Sequence, residues 1–96
     1  MTRKKSPSND FPTALQKLRV AKRLSQEDFS LVSSRTYVSA LERGIYSPTL
    51  AKVDQLAEVL DVHPLALLTL SYIDASRAGS VNELLAQVKE DLSTLE

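Results

Sequence analysis

Residues Ser25 to Gly44 run Ser-Gln-Glu-Asp-Phe-Ser-Leu-Val-Ser-Ser-Arg-Thr-Tyr-Val-Ser-Ala-Leu-Glu-Arg-Gly. Ser25 and Ser34 each carry a hydroxyl able to accept from backbone N–H groups one turn on, which no intrahelical carbonyl satisfies, so this one segment holds two helix starts. The spacing predicts two short helices meeting at a tight corner, one from Gln26 to Val32 and one from Arg35 to Arg43. The first should bury Phe29 and Val32. On the second, Val38 and Leu41 point one way at i, i+3, while Arg35, Thr36, Ser39, Ala40 and Arg43 point largely the other. Gly44 ends it, as the residue best able to take a left-handed conformation. The outward face is polar, long-armed and basic.

Upstream, residues 12–23 read as a helix, with Pro12 in the first turn, where its missing N–H costs nothing. Leu15, Leu18 and Ala21 give its inward stripe. Residues 1–10 carry Arg3, Lys4 and Lys5 followed by Ser-Pro-Ser-Asn-Asp, and read as a basic arm with nothing apolar to bury after Met1. Such an arm either tracks phosphates or simply solubilises the chain. Downstream, Gly44-Ile-Tyr-Ser-Pro is a loop into a fourth helix capped by Ser47, with Pro48 in first place. Leu50, Val53, Leu56, Ala57 and Leu60 then repeat at helical spacing and should close the core. Asp61-Val-His-Pro interrupts the chain again. His63 is the only histidine, and without partners it makes neither a metal site nor a triad.

The last third differs in kind. Residues 64–77 read as a helix with Leu65, Leu68 and Tyr72 on one face and Leu67, Leu70 and Ile73 on another, and a helix apolar on both sides wants covering on both. Gly79 ends it, and Ser80-Val-Asn-Glu is a capping box that opens the next. Val81, Leu85, Val88, Leu92 and Leu95 follow at steps of four and three, with Leu84 beside them. This two-heptad seam puts valine at d-type and leucine at a-type positions, the reverse of what a parallel two-stranded coil prefers. A helix of roughly 16 residues is marginal alone. The seam is therefore expected to cover a second copy, together with Leu67, Leu70 and Ile73, while folding back on the preceding helix is the alternative. The organisation so read is a basic arm at 1–10, a bundle at 11–78 and a dimerisation element at 79–96.

Ninety-six residues suit one domain, or one domain with an oligomerising extension. There is no cysteine, which removes disulfide and thiolate chemistry. No run approaches the ~20 apolar residues that span a bilayer, and the Met1-Thr-Arg-Lys-Lys start is not followed by an apolar signal segment; a cytoplasmic, nucleoid-associated protein without membrane contact is expected. Net charge is zero, yet residues 1–44 carry nine Lys or Arg against four Asp or Glu, a net +5, and residues 45–96 carry three against eight, a net −5. A polyanion is thus drawn to one end and repelled by the other. There is no glycine-rich phosphate loop, metal-ligand cluster or nucleophile–base arrangement, so no catalytic residue, metal or cofactor is expected.

The ordered set Leu18-Arg19, Leu24-Ser-Gln-Glu27, Arg35-Thr-Tyr-Val38, Leu41-Glu-Arg-Gly44, Ser47-Pro-Thr-Leu50 and Val62-His-Pro-Leu65 resembles the helix-turn-helix of phage-repressor and Cro-like (Xre-type) transcriptional regulators, over roughly Leu15 to Leu68. Each motif is weak alone and the set is specific. Compared with most relatives, Gln26 to Glu42 is shorter by about two residues, lost where the turn usually sits.

The resemblance implies an all-α fold, a five-helix repressor-like bundle carrying the helix-turn-helix, extended here by a C-terminal dimerisation helix. It implies that Arg35, Thr36, Ser39 and Ala40 face base edges in the major groove. Arg35 is the strongest of these, since its planar fork donates twice to guanine. Gln26, Tyr37, Arg43, Tyr46, Ser47 and Thr49 would contact phosphates, with Tyr37 either bonding through its hydroxyl or packing half-buried. Arg19 and Glu42 would form a partly buried ion pair bracing the reading helix. The function so implied is a sequence-specific regulator of transcription, a repressor, that binds a palindromic double-stranded DNA operator as a homodimer. The alternative is an antitoxin-like or anti-regulator interaction module whose C-terminal helices bind a different protein.

Overall fold

The computed structural model describes residues 9–73 and 79–95, all helical, with no strand among them. Five α-helices follow in order: α1 Phe11–Ala21, α2 Arg35–Glu42, α3 Leu50–Leu60, α4 Pro64–Tyr72 and α5 Val81–Leu92. A 3-10 turn, Gln26–Phe29, lies between α1 and α2, and another, Ser93–Leu95, closes the described chain.

α1 begins one residue earlier than Pro12, because Asp10 caps it by accepting from the Thr13 N–H. That places Phe11 inside the helix and in the core beside Ala14 and Leu15, while Ala21, expected on the inward stripe, is exposed. The helix stops at Ala21, with Arg23 left-handed at φ 61°. There Arg23 N–H donates to the Val20 carbonyl and Leu24 N–H to Arg19, the paired bonds of a Schellman stop. The same closure ends α2, where Gly44 takes φ 77° and donates to Leu41 while Ile45 donates to Ala40. It recurs after α3, where Asp61 sits at φ 59°, Asp61 N–H donates to Glu58 and Val62 N–H to Ala57.

The second expected helix is the main departure. From Gln26 the chain makes one 3-10 turn to Phe29 and continues only as turns, with the Val32 and Ser33 N–H groups both donating to the Phe29 carbonyl, so Val32 lies in the corner rather than in a regular helix. Its start is as expected: the Ser25 hydroxyl accepts from Asp28 N–H, and the Asp28 carboxylate accepts from Ser25 N–H at 2.6 Å, short side chain notwithstanding. Phe29 is completely buried.

α3 is capped by Thr49 rather than Ser47, its hydroxyl accepting from Lys52 N–H. Starting at Leu50 instead of Pro48, the helix leaves Leu50 74% exposed and outside the core it was expected to close. α4 is capped by His63, whose Nδ1 accepts from Leu65 N–H, and ends at Tyr72, short of the expected Arg77, which lies outside the described residues.

Phe11, Leu15, Phe29, Val38, Leu41, Val53, Leu56, Leu60 and Leu67 form one core between α1, α2, α3 and α4. α1 and α4 are tied at their ends, where Asp10 N–H donates to the Ser71 carbonyl and the buried Ser71 hydroxyl donates to the Leu67 carbonyl. Leu67, expected at a dimer interface, is fully buried here. The outer side of α4 carries Leu65, Ala66, Thr69, Leu70 and Ile73, which with Val81 and Leu85 of α5 line an almost wholly apolar groove of about 390 Å³.

Candidate nucleic-acid interface

α2 presents two unlike sides. Val38 and Leu41 are buried, while Arg35, Thr36 and Arg43 are exposed and Ser39 is half-exposed. Ser39 accepts from Arg43 Nε at 3.3 Å, which lays the Arg43 side chain back along the helix. Ala40 departs from the expected reading set. It is 4% exposed, and its carbonyl accepts from the Ile45 N–H in the turn that ends α2. Its methyl is covered by the protein and offers nothing to a base.

Behind the exposed face, Arg19 and Glu42 form a two-point pair. Arg19 Nε donates to Glu42 Oε2 at 2.6 Å and Nη2 to Oε1 at 3.0 Å, with only 14% and 5% of the side chains exposed. A third donor, Nη1, reaches the Leu24 carbonyl. Hydrogen bonding to Glu42 holds the Arg19 pKa above its ordinary value, against the opposing effect of burial. This bracket fixes the C-terminal end of α2 to α1 and to the chain entering the helix-turn-helix.

Gln26 belongs to the same cluster. Its Nε2 donates to Glu42 Oε1 at 3.1 Å, so the side chain expected on a phosphate is half-buried and tethered from inside. One amide hydrogen and the amide oxygen remain. Gln26 and Arg35, with Arg19, Ser25 and Glu27, line a broad open depression beside the start of α2.

On the other flank, Tyr37 is half-buried. Its ring stacks on Tyr46, centroids 5.7 Å apart and planes 21° from parallel. Lys52 lies over the Tyr37 ring, Nζ 5.7 Å from the centroid, and donates to the Val32 carbonyl at 2.6 Å. Ser47 and Thr49 are exposed at the start of α3, where the first N–H groups of a helix favour an anion. The Lys52 contacts are ones that sequence reasoning passed over. Its spacing says only that it follows the cap by one turn, and its contacts depend on where the corner brings Val32.

The C-terminal residues expected to pair are arranged differently. α5 has no buried residue. Val81, Leu85, Val88, Leu92 and Leu95 are between 42% and 80% exposed, Leu84 is half-buried, and Leu70 and Ile73 are half-buried on α4. α5 thus leans on α4 and still shows most of its apolar seam.

Among the described residues no three His, Cys, Asp or Glu group to hold a metal ion, and no helix is long and apolar enough to cross a membrane. The family profile described as helix-turn-helix matches residues 15–67, more than half of the chain. No curated protein and no solved structure matches it.

Proposed function

Because the chain belongs to the family of Xre/Cro-like helix-turn-helix regulators, a DNA-binding family, we propose that it is a repressor that binds a palindromic operator as a homodimer and reads it with α2. What carries the reading is the combination on that one helix: Arg35, Thr36 and Ser39 stand outward while Arg19 and Glu42 hold the same helix from behind. A reading helix needs both, since each good two-point contact to a base edge contributes only ~1–3 kcal/mol of discrimination and is lost when the side chain is misplaced.

Arg35 takes the role of guanine reader, with Thr36 and Ser39 beside it. Phosphates are held on both sides of α2, by the Gln26 region on one and by Arg43, Tyr46, Ser47 and Thr49 on the other. These contacts orient the protein and carry no sequence information. Residues 11–73 form the DNA-binding unit. α5 supplies the second copy through Val81, Leu84, Leu85, Val88, Leu92 and Leu95, with Leu70 and Ile73 of α4 at the edge, and Leu67 drops out because it is core. The two reading helices then address half-sites about 34 Å apart.

The test is selection of bound duplexes from random DNA, followed by the same selection with Arg35→Ala. The wild type should return a two-fold symmetric site. The variant should relax preference at one base pair of each half-site by about tenfold to hundredfold, with non-specific binding nearly intact. Equal loss on every sequence contradicts a reading role for Arg35.

A further inference from the structure

Within that DNA-reading account, we propose that Lys52, on α3, is a positioning residue for the reading helix. Three observations meet at its ammonium group. The regular 3-10 helix ends at Phe29 and residues 30–33 continue only as turns, with the Val32 and Ser33 N–H groups both donating to the Phe29 carbonyl, so the corner before α2 is held by few backbone bonds. Lys52 Nζ crosses from α3 to the Val32 carbonyl at 2.6 Å, two residues before the Ser34 cap of α2. The same ammonium lies over the ring of Tyr37, which is in the first turns of α2 and stacks on Tyr46 of the following loop.

One cation therefore joins the corner before α2 to the helix itself, and Tyr37 in turn reaches the loop after it. A charge-assisted hydrogen bond is shorter and stronger than a neutral one, and a cation within about 6 Å of a tyrosine centroid is attracted to the ring face. Arg19 and Glu42 brace the far end of α2, and Lys52 braces its near end, the end that carries Arg35 and Thr36. Held by one of its three N–H donors on the Val32 carbonyl and lying over the Tyr37 ring, the Lys52 ammonium acts through the placement of α2 rather than on a phosphate.

The experiment is binding of the wild-type chain and of Lys52→Met, which keeps an unbranched stem and loses the donor, to the selected operator and to random duplex over a series of salt concentrations. The expected result is a specificity ratio lowered by about tenfold with non-specific affinity and the salt slope unchanged, the lower end of losing one good base contact. A uniform loss on both duplexes with a salt slope smaller by about one unit identifies Lys52 as a phosphate clamp and overturns the proposal. An unchanged ratio overturns it as well, whatever happens to the melting temperature. A wild-type chain without sequence preference rejects the DNA-reading account and this inference together, whereas a selective wild type with an equally selective variant rejects the inference alone. If Lys52→Met does not fold, proton NMR of the wild type decides. Lys52 side-chain protons shifted upfield by the Tyr37 ring are expected, and unshifted ones refute the contact.

Discussion

The bundle of α1 to α4 and the C-terminal α5 are both leucine- and valine-rich, and they bury these residues in opposite ways. In the bundle Leu15, Leu41, Leu56, Leu60 and Leu67 are completely inaccessible. In α5 no residue is buried, and its apolar seam lies open along one side. At roughly 25 cal/mol per Å² of apolar surface removed from water, the first arrangement stabilises itself while the second withholds most of that gain until something covers it. Charge divides the chain at a different place, +5 over residues 1–44 and −5 over residues 45–96, so that α3 and α4 of the bundle fall in the acidic half with α5. Under the proposed function the difference divides the work: the closed bundle holds the helix proposed to read DNA, and the open helix is the surface proposed to bring a second copy to it.

The largest effect expected from breaking this comparison is in the bundle. Arg19→Ala leaves Glu42, 5% exposed, without its partner, and should cost about 3 kcal/mol of unfolding free energy by thermal or urea denaturation. An unchanged melting temperature removes the bracket from the account. Because the Arg19 pKa is raised on folding, the pair's contribution is fully present below the ordinary arginine value and fades only as pH rises through the higher folded value. The arginine should therefore give no slope in stability across roughly pH 6 to 9.

A smaller effect is expected on the other side of the comparison. Val88→Asp combined with Leu92→Asp places two charges on the open seam without touching the bundle core. Sedimentation should show monomers, and operator affinity should fall roughly hundredfold as the avidity of paired half-sites is lost. The melting curve of the bundle should move by no more than ~0.5 kcal/mol when compared at concentrations where both chains are monomeric. A variant that still sediments as a dimer places the interface elsewhere.

The smallest effect sharpens the picture of the bundle alone. Asp61 holds a left-handed conformation, at φ 59° and ψ 45°, that costs an ordinary residue about 1–2 kcal/mol. Asp61→Gly should raise stability by about 0.5–1 kcal/mol, the gain being offset in part by the greater freedom of glycine in the unfolded chain. DNA binding should not change, and a loss of stability would show that the Asp61 side chain contributes something the backbone argument omits.

Much of the bundle was legible because its signals are local. Ser34 and Gly44 mark the two ends of α2 through cap chemistry, and the resemblance supplied the Arg19–Glu42 pair across the fold. What failed depended on phase or on distance. Pro12 and Pro48 each suggested a helix start, but Asp10 and Thr49 are the actual caps, which moved Phe11 into the core and Leu50 out of it. α4 is apolar almost all round, so its sequence gives no preferred face, and Leu67 was assigned to the wrong side. Ala40 was misplaced because it is buried on the side of α2 that the i, i+3 pair Val38 and Leu41 does not mark. The second helix is a 3-10 turn rather than the expected run to Val32, and the contact that Lys52 makes with the corner after it is visible only in three dimensions.

The central claim, that the outward side of α2 enters the groove, is tested most directly by following backbone and side-chain NMR signals while the selected operator duplex is added. The account predicts that the largest changes fall on Arg35, Thr36 and Ser39, with smaller ones around Gln26, Tyr46, Ser47 and Thr49 and little on the outer surface of α5. Changes concentrated on α5, with Arg35 and Thr36 undisturbed at saturation, would contradict it.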